Sequence, residues 1–191
     1  KWATIGKQVS HIEDATMDDV KSFFYKHYAP NNAILVVAGD VNLEEIKSLS
    51  TKWFSNIEAR DVPKRNLPKE PRQEEARTLS VERDVPVDIL YKVFHMCSRK
   101  DERYFATDLM SDVLSRGNSS RLYESLVMGQ KLFSDIDAFI GGDLDAGLFY
   151  FGGKLSKGVS MEEAEAGINL EIEKLKTELV SDAELTKVKN K

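Results

Sequence analysis

Residues 132–155 read LFSDIDAFIGGDLDAGLFYFGGKL and predict a β-hairpin. Its two strands are Leu132–Ile140 and Gly147–Leu155, both rich in apolar and aromatic residues. Gly141–Asp145 between them is typical of a short hairpin loop. The hairpin therefore predicts a sheet with antiparallel strands in this part of the chain.

Helices are predicted on both sides of the hairpin. Asp101–Leu114 carries apolar residues at helical spacing, and Arg121–Met128 follows the turn Gly117–Ser120, which also supplies an N-cap. After the hairpin, Ser160 opens a long helix with a capping box, and Ser181 opens another.

Two further strands, Arg77–Arg83 and Val87–Met96, are predicted before these helices. Strands and helices alternate here without a strict βαβ rhythm. The region is therefore predicted to be α+β, with a mixed or antiparallel sheet and helices packed on one face.

The first part of the chain predicts a helix, a strand and a second helix. Thr16–Asp19 is a capping box, and Pro30 ends the helix that it opens. Ala33–Gly39 is continuously apolar, as expected for a strand covered on both faces. Asn42–Glu45 is a second capping box, which opens a helix that continues through Phe54.

A linker is predicted between these two regions. Pro63, Pro68 and Pro71 lie there among charged residues, and proline neither continues a helix nor donates to a ladder. The predicted organisation is a first region over 1–58, an extended linker over 59–76 and a nearly complete domain over 77–191.

Composition excludes several classes of function. The 191 residues carry a net charge of −5 with scattered lysines and arginines, so no basic patch for nucleic acid is visible. Cys97 is the only cysteine, which excludes an internal disulfide. The longest apolar run, Ala33–Ala38, is far shorter than the roughly 20 residues that span a bilayer.

The histidines do not form a zinc motif. His11, His27 and His95 contain no pair at i, i+4, which the zincin helix and its inverted form both require. His95 and Cys97 alternate to one face of a predicted strand, and His11 and Glu13 have the same spacing. Packing or solvent exposure is the favoured interpretation of both pairs, so no metal site is predicted.

Other chemistry finds no better support. Cys97 lacks a recognisable cationic pocket, and Gly117–Ser120 lacks the setting of a nucleophile elbow. Gly39-Asp40 is not a phosphate loop, and Asp143 with Asp145 suits a turn better than a calcium site. The acidic residues of the long helix are predicted to be solvated: Glu162, Glu163, Glu165, Glu171 and Glu173. No catalytic, metal-binding or cofactor-binding residue is predicted, and substrate-binding residues stay unassigned.

Several motifs together resemble one family. Trp2–Gly6, Tyr28–Asp40 and Trp53-Phe54 resemble the stretch that follows the zinc motif in insulinase/pitrilysin-type zinc peptidases, which include the mitochondrial processing peptidases. Leu114–Tyr123, with Ser-Arg-Leu inside it, resembles the family's second-half loop and helix. The matches cover nearly the whole chain in the family's order.

The resemblance implies that this sequence is an internal fragment of a protein with two similar halves. Residues 1–58 would end the first half, and 77–191 would be most of the second, inactive half, truncated at its C-terminus. Zinc would be bound upstream of Lys1 by a His-x-x-Glu-His helix and a later Glu, with the motif's Glu as general base. The fragment itself is then predicted to be inactive, and the parent to be a zinc-dependent metallopeptidase that encloses peptides between its halves.

One departure from the family leaves two interpretations open. Many members hold substrate with an Arg and a Tyr, and alignment on Ser120-Arg-Leu122 places Val127 and Ser134 at those positions. Either a partner subunit supplies the pair, or the parent is a zinc-less scaffold subunit. Arg121 belongs to the motif itself and is interpreted as structural. An unrelated binding module is the third alternative.

Overall fold

The structure is a computed structural model that describes residues 8–64, 66, 68 and 71–190. The chain divides into two compact units, Lys1–Arg77 and Thr78–Lys191. The motif at Trp2–Gly6 lies outside the described residues. None of the described helices is long and apolar enough to cross a bilayer.

The first unit is helical in its described part. Its elements are α1 (Ser10–Glu13), α2 (Met17–His27), a 3₁₀ turn (Pro30–Asn32) and α3 (Leu43–Phe54). The predicted capping box of α2 is confirmed, because Thr16 and Asp19 each accept a bond from the other's backbone N–H. Asn42 caps α3 by accepting from the backbone N–H groups of Glu44 and Glu45.

The two asparagines after Pro30 fix the turn between α2 and the following segment. Asn32 Nδ2 donates to the carbonyl of His27 over 2.7 Å, which satisfies an orphan acceptor at the end of α2. Asn31 Nδ2 donates to the carbonyl of Arg60 over 2.8 Å, and its Oδ1 accepts from the Arg60 N–H over 3.2 Å. The Pro-Asn-Asn sequence therefore joins α2 to the chain that follows α3.

The predicted strand at Ala33–Gly39 is wrong in this structure. Residues 33–38 form no ladder, and Ile34 and Val36 are 92% and 79% exposed. A strand is stabilised by pairing and by a covered face, and the described residues of this unit offer no neighbouring strand. The apolar run therefore lies open to solvent.

The predicted strand at Arg77–Arg83 is also wrong. No described residue from 58 to 88 lies in a helix or a strand, and Leu79 and Val81 are exposed. Two alternating apolar side chains do not stabilise a strand that has no partner strand to pair with.

The second unit is α+β, as predicted. Its elements are β1 (Ile89–Ser98), α4 (Tyr104–Ser115), a π-helix (Tyr123–Gly129), β2 (Phe133–Gly141), β3 (Ala146–Leu155), α5 (Met161–Thr177) and α6 (Asp182–Lys189). The strands form an antiparallel sheet of order β1-β3-β2, so the predicted hairpin pairs and β1 adds to its second strand. The predicted capping boxes at Ser160 and Ser181 are confirmed.

The core lies between the sheet and the helices. Alternate residues of β3, among them Phe149, Phe151 and Leu155, are buried on the side that faces the helices. Gly167 allows α5 to approach closely, since a Cβ there would lie 2.6 Å from Leu132 Cδ1. The fully buried side chains of this core include Leu114, Leu122, Leu126, Phe133 and Ile168.

The helix predicted at Arg121–Met128 is a π-helix over most of its length. The N–H of Gln130 bonds to the carbonyl of Ser125, five residues earlier, at 2.8 Å. The predicted side-chain N-cap is absent from this helix, and Ser120 Oγ is buried with no hydrogen-bond partner among the described residues. Leu122 and Leu126 are both fully buried on this helix.

Candidate functional site

The three histidines lie on three different elements, α1, α2 and β1. His11 is exposed in α1, and the His27 ring lies against Phe23 with centroids 4.7 Å apart. No group of three or more His, Cys, Asp or Glu side chains within the described ranges could hold a metal ion. The described residues therefore do not fit a zinc ion, and no chemical step through a metal is assigned to them.

His95 and Cys97 do not share a face of β1 as the alternation predicts. The pairing register shifts between His95 and Ser98, which interrupts the alternation. Cys97 packs against the helix-side core with Sγ 3.9 Å from Thr107 Oγ1, whereas the side chain of His95 is exposed. The two side chains are therefore not a ligand pair.

The two residues that alignment on Ser120–Leu122 places opposite the family's Arg and Tyr make structural contacts. Val127 lies in the π-helix and packs against the core. Ser134 lies at the irregular start of β2, where its hydroxyl donates to the carbonyl of Lys154 over 3.2 Å. An aliphatic side chain and a short hydroxyl cannot provide the charge or the reach of an Arg–Tyr pair.

Arg121 joins the π-helix region to α6. Its Nε and Nη2 donate to the two carboxylate oxygens of Glu184 over 2.7 and 3.0 Å. The same carboxylate also accepts from Ser181 in the capping box of α6. Hydrogen bonds from Arg121, opposed by burial and helped by Ser181, lower the pKa of Glu184 to about 2. The bidentate pair therefore holds α6 against the start of the helix that contains Arg121.

Glu171 was predicted to be solvated and is buried instead, with 2% of its surface exposed. Its Oε1 accepts from Ser125 Oγ and from Lys174 Nζ, each over 2.7 Å. The prediction failed because Glu171 continues the apolar stripe of Ala164 and Ile168 at helical spacing. That periodicity was the available signal, and the bonds tie α5 to the π-helix.

An apolar cleft of about 590 Å³ opens on the helix side of the sheet, beside β1. It is lined mainly by hydrophobic residues of β1, β3, α4 and α5, including Phe94, Met110 and Leu175. Two cations also border it, but Arg103 is bonded to Asp101 and Lys176 to Glu173. The cleft can receive an apolar side chain and leaves little free charge for a polar ligand.

The opposite side of the sheet, which we call the open face, carries aromatic side chains. Strand alternation and register place Tyr91, Val93, Tyr150 and Phe139 on it, together with Gly152. The rings of Phe139 and Tyr150 stack with centroids 4.8 Å apart. Gly152 leaves room for the ring of Tyr91, since a Cβ there would lie 2.6 Å from it.

Two carboxylates stand at one side of this aromatic surface. Asp135 and Asp137 alternate with buried residues of β2, so both lie on the open face. Partial burial, followed by the negative charge of Asp135, raises the pKa of Asp137. The sequence contained a signal for this arrangement, because Asp135, Asp137 and Phe139 recur with a period of two. The approach of Tyr91 depends on the β1–β3 register and had no such signal.

Comparisons with known proteins agree with this architecture. Residues 14–191 match the Peptidase M16 inactive domain. The zinc protease PqqE of Helicobacter pylori is 32% identical over 192 residues, which cover 98% of this chain and 43% of that protein. The crystal structure of a protease from Helicobacter pylori has a TM-score of 0.81 and 31% identity, covering 95% of this chain and 45% of that chain.

A more distant structure shares the fold alone. The peptidase M16 inactive domain from Pseudomonas fluorescens has a TM-score of 0.74 at 18% identity, covering 95% of this chain and 44% of that chain. The class defined by these observations is an α+β domain with helices on one face of an antiparallel sheet.

This chain belongs to the Peptidase M16 family, in the part described as its inactive domain. The resemblance to insulinase/pitrilysin-type zinc peptidases is thereby confirmed. The chain spans less than half the length of the curated relatives that it matches.

Proposed function

We propose that this chain is a non-catalytic portion of a zinc metallopeptidase and forms part of the wall of a peptide-enclosing chamber. The match of residues 14–191 to the inactive domain of the family carries this proposal. The relation to a zinc protease from Helicobacter pylori supports zinc-dependent hydrolysis of peptides by the intact protein. Zinc would be bound there by residues upstream of Lys1.

In this proposal the chain supplies a surface that lines the chamber and no catalytic residue. The open face of the sheet is not covered by the helices of its own unit and can line an enclosed space. We further propose that residues 1–58 complete the zinc-bearing half of the protein. Residues 59–76 would form the linker, and residues 77–191 would form the inactive half.

A second candidate is a zinc-less partner or scaffold subunit of the same family. Val127 and Ser134 favour it, because the family's Arg and Tyr are both replaced by residues with structural contacts. In this case a second family subunit would supply the substrate-holding pair, and this subunit would act in assembly or substrate binding.

The test compares the intact protein with the 191-residue chain. Both are dialysed, their zinc is measured by mass spectrometry, and cleavage of an unstructured peptide is followed with and without a chelator. We expect stoichiometric zinc and chelator-sensitive cleavage for the intact protein only. An intact protein without zinc would favour the scaffold subunit, and zinc with cleavage in the 191-residue chain would refute both candidates.

A further inference from the structure

The open face offers a partner an aromatic surface that the helices of its own unit do not cover. Tyr91 and Phe139 are 64% and 45% exposed, although both rings are held by neighbours on the sheet. Rings held in one orientation lose little entropy when a partner packs on them, and their faces also attract cations. The surface is therefore suited to an apolar or aromatic side chain with a positive charge nearby.

The open face carries two carboxylates, Asp135 and Asp137, and one lysine, Lys154. Neither Asp135 nor Asp137 has an ion pair or side-chain hydrogen bond within the described ranges. Lys154 is the register partner of Asp135 on the open face, and it takes part in none of the ion pairs of the described residues. The neighbouring Lys92 belongs to the other side of the sheet, where it pairs with Glu165. Among the described residues, the face thus presents two carboxylates that form no ion pair beside its aromatic rings, with one lysine opposite Asp135.

The spacing of these groups matches an extended chain. Asp135 and Asp137 are two residues apart on one strand, which places them about 7 Å from each other. Alternate side chains of an extended peptide have the same separation. Such a peptide can therefore direct one side chain to the carboxylates and the next on that side to the rings.

We propose that the open face binds extended peptide segments in which a Lys or Arg lies two residues from an aromatic or large apolar residue. This inference deepens the proposed function, on which it rests, by naming the peptides that the chamber wall favours. Charge complementarity selects this occupant. A second copy of the chain would bring a net charge of −5 and the same two carboxylates towards this face, which disfavours self-association.

Binding is tested with the 191-residue chain and short fluorescein-labelled peptides that have no structure of their own. One peptide carries Lys-x-Phe, a second Glu-x-Phe and a third Lys-x-Ala in the same background. Fluorescence anisotropy is expected to give a dissociation constant about tenfold lower for Lys-x-Phe than for either other peptide. Added salt is expected to weaken binding of the Lys-x-Phe peptide most.

Paired variants locate the binding surface. The double variant Asp135→Asn/Asp137→Asn is expected to weaken Lys-x-Phe binding about two- to fivefold for each charge removed. Its matched control is Asp143→Asn/Asp145→Asn, which removes the same charge at the same spacing from the hairpin loop and is expected to leave binding unchanged.

Aromatic variants test the other half of the surface. Phe139→Ala and Tyr91→Ala are each expected to weaken binding about tenfold. Phe105→Ala, on exposed α4 surface, is the control of similar size. Circular dichroism and thermal midpoints identify any variant that fails to fold, and either of the two exposed aromatic positions can then carry the test.

Several results would overturn the inference. They are equal binding of the three peptides, an equal loss in the loop control, or unchanged binding in both aromatic variants. Self-association that is abolished by Phe139→Ala would identify a second copy as the occupant and would also overturn it. Zinc content and cleavage by the intact protein are measured separately, so failure of this surface and failure of the proposed function give different results.

Discussion

Residues 78–190 enclose a hydrophobic core, whereas the described residues before them expose nearly all their large apolar side chains. Phe133 and Leu126 are buried in the second unit, while Phe24, Ile34 and Trp53 are exposed in the first. Both regions have capped amphipathic helices, so helix formation alone does not explain the difference. In the part of the chain that the structure describes, only the second region has a sheet on which its helices pack. A core therefore requires a second layer, which the first region does not contain among its described residues.

The largest expected effect on the free energy of unfolding comes from comparing one Phe→Ala substitution in each region. Phe133→Ala should lower the free energy of unfolding by about 3–5 kcal/mol, because it leaves a cavity in a close-packed core. Phe24→Ala removes the same atoms from an exposed position and should change it by less than about 0.5 kcal/mol. Chemical denaturation followed by circular dichroism measures both. Equal losses would show that the first region contributes a core of its own.

An intermediate effect concerns an ion pair in each region. The folded-state pKa of Glu184 is about 2, below its ordinary value of 4.5, because Arg121 donates to the carboxylate. Its stabilisation is therefore fully present above pH 4.5 and is lost as the pH falls through about 2. Glu184→Gln should destabilise the chain by about 1–2 kcal/mol at neutral pH, since the pair is partly buried.

The pH dependence gives this prediction its control. The difference in unfolding free energy between Glu184→Gln and the unchanged chain should shrink as pH falls from 4.5 towards 2. Glu44→Gln removes an exposed pair with Lys47 in the first region and should have almost no effect at any pH. A difference for Glu184→Gln that stays constant over this pH range would contradict the assignment of the lowered pKa to Glu184.

The smallest effect compares two helix caps. Ser160→Ala removes the capping box of α5, which packs on the sheet, and should cost about 1 kcal/mol in global unfolding. Asn42→Ala removes the cap of α3 in the first region and should leave the main denaturation transition unchanged. Hydrogen exchange can measure the local fraying of α3 separately. A shift of the main transition by Asn42→Ala would show that the two regions unfold together.

Local features of the fold were predictable from the sequence. The hairpin and the capping boxes at Thr16, Ser160 and Ser181 depend on residues close together in the chain, and the structure contains all of them. The prediction of a strand at Ala33–Gly39 failed because a strand must pair with a segment from elsewhere in the chain. A local sequence pattern does not identify that segment.

The candidate surfaces were predictable only in part. The period of two in β2 reveals that Asp135 and Asp137 share a face, and the period of α5 reveals that Glu171 is buried. By contrast, the contact between Tyr91 and Gly152 follows from strand register, which residue types do not specify here. The register shift that places the side chains of His95 and Cys97 on different faces of β1 likewise depends on strand pairing.

The π-helix at Tyr123–Gly129 has a consequence for comparing this chain with its relatives. A π-helix joins residues five apart, so each of its turns holds more residues than an α-turn. Letter-by-letter alignment across this segment therefore equates side chains that point in different directions whenever a relative has a regular helix there. Superposed backbones are the sound basis for deciding which residue of a relative corresponds to Val127.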